Sequence, residues 1–233
     1  MSLQLPQPPA AALRAVLDAL DDPDAPGALP VRSSAMRRCI GPLTPALPLP
    51  LHQLDPAATP GDGATQLARA RRTGWRFLIK ECDEVVAAAV TLERGPDEPG
   101  SGEPHVFSHF AEGPYPAATL RALQQARLHT AGTPTTYLPR LLSVPAHYMT
   151  ALWLHPVLPA TPTPDLLIPL VPAPLGVTPH IPHHAEELLA LLALTGGDPV
   201  EAAVEAAVEA VVEAADGSAD GGAGAGALLT STR

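Results

Sequence analysis

Apolar positions in the first stretch of the chain recur at three- and four-residue intervals. Leu13, Val16, Leu17 and Leu20 share one side of Ala10–Leu20, which predicts a short helix ended by Asp21, Asp22 and Pro23. From Pro42 to Pro60 proline returns every few residues, the pattern of an extended arm. Asp62 then fits the cap of a brief helix through Arg72, with Gly74 closing it. Two β-rich runs follow, Trp75–Lys80 and Glu84–Leu92, separated by a short polar break that reads as a hairpin. A Gly/Pro/acid loop, Gly95–Pro104, leads to a third strand over Val106–Ala111. Pro116–His129 returns to helical spacing, with Leu120, Leu123 and Leu128 available to a sheet.

Ala146–His155 fits either a helix begun at Pro145 or a strand, and Tyr148 and Trp153 favour the strand. Such a strand turns through the Pro/Thr loop and pairs with Asp165–Leu170, which puts Pro169 at an edge or a strand end. His183–Thr195 is helical, with Glu186 and Glu187 in its first turn and Gly196-Gly197 at its end. Asp198-Pro199-Val200-Glu201 supplies a second helix start, followed by the strong helix formers of EAAVEAAVEAVVEAA. The two arms are expected to form an αα-hairpin, leucines against valines.

The expected fold is therefore α+β: a small, mostly antiparallel sheet of about four or five strands with one packed helix. A C-terminal helical hairpin and Pro-rich or disordered arms complete it. The expected boundaries are 1–61 for the N-terminal helix and arm, 62–182 for the core, 183–216 for the hairpin and 217–233 for a disordered tail.

Composition sharpens this reading. Thirty of the 233 residues are proline, which argues against one continuous fold, since each removes a backbone donor. All eight aromatics lie between Trp75 and Trp153, so the folded body should centre there. Lys80 is the lone lysine; arginine over lysine, with abundant Ala, Pro and Gly, is the composition of a high-GC bacterial genome. The net charge of −10 speaks against nucleic-acid binding. That charge is uneven, +3 over residues 1–80 and −9 over 141–233, so a basic front can meet an acidic tail in the same chain or another.

Cys39 and Cys82 cannot make a disulfide framework. The N-terminus lacks the basic and apolar regions of a signal peptide. The charge-free run Leu141–Pro164 carries five prolines and cannot be an unbroken spanning helix. A cytoplasmic protein without membrane contact is the expectation.

Chemistry-bearing residues are sparse. His180, His183 and His184 are the densest metal-capable group, with Glu187 four beyond His183, although Pro182 divides them across a loop–helix junction. His105 and His109 are four apart in a strand and should share a face, near Glu112. Cys82 sits among carboxylates that disfavour its thiolate, whereas Arg37 and Arg38 should favour that of Cys39. Arg69, Arg71, Arg72 and Arg76 form the one basic concentration, suited on a short helix to clamp a phosphate or an acidic partner. Glu201, Glu205, Glu209 and Glu213 stack like charges along one stripe, while Val204, Val208 and Val212 lie on an apolar strip suited to docking or self-association.

No nucleophile elbow, phosphate loop, dinucleotide fingerprint or H-E-x-x-H is present. The expected function is a non-catalytic protein-interaction or accessory module that meets a protein partner or a second copy and needs no cofactor. The alternative is an enzyme of unrecognised type, a metal-assisted hydrolase using the histidines.

Overall fold

The computed structural model describes residues 3–21, 35–54, 63–94, 104–157 and 163–195. The opening helical spacing becomes α1 (Ala10–Asp21), which buries Ala12, Val16 and Leu20 and leaves Leu17 exposed. Next come β1 (Leu43–Gln53), α2 (Gly63–Ala68), β2 (Arg71–Glu81), β3 (Glu84–Glu93) and β4 (His105–Ala111). They are followed by α3 (Pro114–Thr130), β5 (Thr136–Val144), β6 (Met149–Val157), β7 (Leu166–Pro169), the two-residue β8 (His183–His184) and α4 (Ala185–Thr195). Among the described residues no helix is long and apolar enough to cross a membrane.

The eight strands form one sheet in the order β4-β3-β2-β1-β5-β6-β7-β8. Neighbours are antiparallel except β1 and β5, which run parallel over Leu51–Gln53 and Leu141–Ser143. The sheet is thus two antiparallel meanders joined by a short parallel seam. Strand alternation gives each face its own helices. Trp75, Phe77, Ile79, Ala87 and Ala89 receive α1, while Leu142, Met149, Ala151, Trp153 and Leu167 receive α4 and Leu67 of α2. On the opposite face, Leu49, Leu141, Leu152, Leu154 and Ile168 receive α3. The inner surface of α3 is mostly alanine (Ala118, Ala122 and Ala126 beside Leu123), and the expected contact Leu128 is 71% exposed.

Among the described residues a mixed eight-stranded sheet with four α-helices replaces the expected sheet of four or five strands. The largest correction is β1, expected as a proline-rich arm. Pro45, Pro48 and Pro50 have no N–H to give a ladder, but β5 joins β1 only from Leu51 onward. All three therefore fall where β2 is the sole ladder partner, and at Leu47 (φ 48°) and Pro48 even that ladder is interrupted. β5 escaped notice because Pro139 and Arg140 break its apolar run, yet Leu141 and Leu142 are fully buried.

The expected helix through Arg72 stops at Ala68, and Arg71 begins a strand. Gly74 closes no helix. It lies within β2, where a Cβ would collide with the carbonyl oxygen of Thr91 on β3. At the C-terminal end, His183 and His184 pair with β7 and the helix starts at Ala185. Ala185, Leu188, Leu189 and Leu192 pack on the sheet, so the leucines expected to face valines in a helical hairpin are taken up by the sheet core instead. The expected second arm, from Asp198, and the 217–233 tail lie outside the described residues.

The β2–β3 hairpin, the third strand and the helix after it stand where the sequence places them, with Cys82 at the hairpin tip (φ 53°). Ala146–His155 resolves as a strand after a short 3-10 turn. It pairs with Leu166–Pro169, and Pro169 ends that strand.

Candidate functional site

Between the apolar surfaces that receive α1 and α4, the same face of the sheet turns polar. A row of side chains crosses six strands and ends just before β7: His105, Glu93, Arg72, His52, Arg140, then Trp153 and His155, then Asp165. Registry sets much of it. His105 stands opposite Glu93, Arg72 opposite His52 and Arg140 opposite Trp153. A bulge in β2 that passes over Thr73 brings Arg72 opposite His52.

Two pairings consume most of the ionisable groups. Arg72 grips Glu93 with both ends of its fork, Nε to Oε2 at 2.9 Å and Nη2 to Oε1 at 2.8 Å. That contact holds the Glu93 carboxyl below the usual carboxylate range. At the other end, Oδ1 of Asp165 accepts from Trp153 Nε1 at 2.7 Å and from His155 Nδ1 at 2.8 Å. The Trp153 ring in turn carries the Arg140 guanidinium 4.7 Å from its centroid, with His52 and His155 edge-on at 5.3 and 5.7 Å. Burial, and then the neighbouring Arg140, push His52 down to about 4, so its imidazole is neutral at physiological pH.

Beside this row lies a cleft of about 310 Å³. It opens where β1 and β5 part, before the seam begins. There the N-terminal segment runs beside β5 instead, with Leu3 bridging Tyr137 and the Gln4 N–H donating to the Tyr137 carbonyl at 2.9 Å. Gln7, His52, Arg72, Trp75 and Arg140 supply the polar lining, and Pro6, Pro50, Leu138 and Pro139 supply apolar wall. Trp75 is 4% exposed, and its Nε1–H has no acceptor; Nδ1 of His52 is likewise sealed without a well-aligned partner. Among the described residues no carboxylate pairs with Arg140, whose pKa burial pulls down against a partial offset from Asp165. The cleft thus sets an Arg140 guanidinium, which no carboxylate pairs with directly, beside a Gln7 carboxamide able to donate or accept.

The residues singled out from sequence meet different fates. The arginine cluster is divided. Arg69 lies in the turn after α2, Arg71 and Arg72 open β2, and Arg76 points to the face opposite Trp75, on the side of α3. Of the four, Arg72 alone lines the cleft. Arg76 has Nε and Nη1 buried without an acceptor, and burial lowers its pKa against a small offset from Tyr115.

The three histidines form no metal centre. His183 and His184 are consecutive on β8 and so face opposite sides. His180, at φ 62°, donates its N–H to the Pro169 carbonyl at 2.8 Å, and burial, with Arg121 second, lowers its pKa. Among the described residues no three His, Cys, Asp or Glu side chains are placed to hold a metal ion. Val204, Val208 and Val212 lie outside the described residues.

His105 and His109 do not share a face. A bulge at Ser108 between them turns His105 toward Glu93 and Arg72 and His109 toward Arg76. The Cys39 thiol is pushed up, by burial and then by Glu81, which together outweigh Arg38. His52, Arg140, Trp153, His155 and Asp165 were not among the sequence candidates. The one local signal was that Arg140 and Asp165 bracket the charge-free run Leu141–Pro164. The chain matches no family model, no curated protein and no solved structure.

Proposed function

We propose that this protein is a non-catalytic module, an interaction or accessory protein that binds a partner at the cleft between β1 and β5. The observation that carries this reading is the division of labour along the polar row. Glu93 and Asp165, the carboxylates available as bases, are spent on Arg72 and on Trp153 with His155. The cleft beside them offers unfilled donors with no nucleophile among its lining residues. Such a site is equipped to hold a group in place; general acid–base chemistry needs a base within reach of the proton it moves. The metal-assisted hydrolase gains no support, since His180, His183 and His184 are not brought to one point.

The test is cross-linking and affinity capture in native lysate, comparing the full chain with its Arg140→Ala variant. A protein retained by the parent and lost by the variant is the expected result. A strictly monomeric protein whose parent and variant capture the same background would remove the reading.

A further inference from the structure

We propose that the cleft between β1 and β5 receives a single carboxylate group carried on a small apolar or aromatic body. The inference rests on reading the cleft as a binding site and adds the chemistry of what it holds.

Charge sets the valence of the guest. Two guanidinium groups line the cleft, but the one on Arg72 is neutralised by Glu93, and His52 is buried against both arginines in a setting that keeps it uncharged. Of the cleft's two guanidiniums, Arg140 is the one that no carboxylate among the described residues pairs with directly, Asp165 offsetting its burial only in part. A guest with one negative charge balances it. A phosphate dianion would add a second charge near Glu93 and Asp165, with nothing to meet it.

Geometry sets the shape. The Arg140 guanidinium carbon lies over the Trp153 ring, 4.7 Å from its centroid, and a ring neither donates to it nor accepts its whole fork, so N–H groups stay available for a planar acceptor. Trp75, only 4% exposed, lines the same cleft, and its indole N–H is buried without an acceptor. A buried donor without a partner costs about 1–3 kcal/mol, which an arriving oxygen would recover. Of the remaining wall, Pro6, Pro50, Leu138 and Pro139 are apolar and suit a hydrophobic body behind the carboxylate, and Gln7 adds one carboxamide. At about 310 Å³ the cleft is at the small end of ligand sites, which run from roughly 300 to 1,000 Å³. A free aromatic acid and the C-terminal residue of a partner chain present this same chemistry.

The experiment titrates the full chain with benzoate, benzamide, phenyl phosphate and N-acetylphenylalanine, following the Trp75 indole N–H resonance. Benzoate or N-acetylphenylalanine is expected to move that resonance at least tenfold more tightly than benzamide or phenyl phosphate. Tighter binding of N-acetylphenylalanine assigns the source to a protein C-terminus, and tighter binding of benzoate to a free acid. Arg140→Gln should weaken the carboxylate at least tenfold. Trp75→Phe, followed by the Trp153 indole N–H resonance instead, should weaken it several-fold; because the smaller ring sits in a buried position, its urea midpoint is measured alongside to confirm that it is folded. Benzamide or phenyl phosphate binding as tightly as the carboxylates, no carboxylate binding, or full affinity in Trp75→Phe and Arg140→Gln would overturn the inference and leave the module reading standing. Chemical turnover of a bound ester would sink the module reading instead.

Discussion

Asp165 is the keystone of the polar row, and its removal has a calculable cost. One of its oxygens accepts from Trp153 Nε1 at 2.7 Å and from His155 Nδ1 at 2.8 Å. Trp153 is 3% exposed, so its indole N–H, once orphaned by Asp165→Ala, finds no water. An unsatisfied buried donor costs about 1–3 kcal/mol. The His155 side chain is 38% exposed and can turn to solvent, so its share is screened to below about 1 kcal/mol. The expected loss for Asp165→Ala is about 2–3 kcal/mol, a large part of a stability that for most domains is about 5–15 kcal/mol. Asp165→Asn keeps an oxygen for Trp153 and gives up only the charge, so it should cost about 1 kcal/mol. Urea unfolding followed by tryptophan emission measures both. An alanine variant within about 0.5 kcal/mol of the parent, or an asparagine variant as damaging as alanine, would refute the argument that the Trp153 donor is what matters.

Gly74→Ala should destabilise by about 1–3 kcal/mol, because the new Cβ meets the rigid Thr91 carbonyl and β2 and β3 must separate; a raised melting temperature would show that no such separation is needed. Arg76→Met should stabilise by about 1 kcal/mol or more, since it removes a guanidinium whose Nε and Nη1 are buried without acceptors. A loss of similar size in urea titration would mean that the guanidinium has a partner in solution. His52 gives a pH signature. Its pKa is about 4 in the fold against 6.5 ordinarily, by burial and then by Arg140, so the unfolded chain binds the extra proton between those values. Stability should therefore fall as pH drops from 6.5 towards 4, by on the order of 1 kcal/mol once partial exposure is discounted. The His52→Gln variant should lose that part of the slope; parallel urea midpoints for the two proteins across this range would contradict it.

What could be read from the sequence was what neighbouring residues decide together. The β2–β3 hairpin was visible because two β-rich runs flank a short break, and α1 because its apolar spacing is local. β1 was hidden because a proline-dense stretch reads as an arm unless one knows that its prolines lie where the neighbouring ladder is missing. The shared face of His105 and His109 failed on a single bulged residue, Ser108, that no spacing rule announces. In the site, Arg72 was noticed for its type but placed on a helix among other arginines, whereas its partners are Glu93 and His52. Asp165 reaches Trp153 and His155 only because β6 and β7 pair, and His52 reaches Trp153 only across the seam.

That seam has a consequence for how the molecule assembles. Each meander is built from strands close in sequence, but Leu51 must find Leu141 across most of the intervening chain. The entropy of closing so long a loop grows only logarithmically, by about 0.6 kcal/mol per doubling, so the cost is modest, but long-range pairing of this kind is slow. Three parallel residue pairs are a thin weld for it. α3 supplies the reinforcement, because it leaves β4 at the far edge of one meander and packs on β6 and β7 of the other. The helix acts as a strap across one side of the join. On the other side, the cleft takes its walls from both meanders, so whatever occupies it also clamps them together and raises the stability of the whole sheet by mass action.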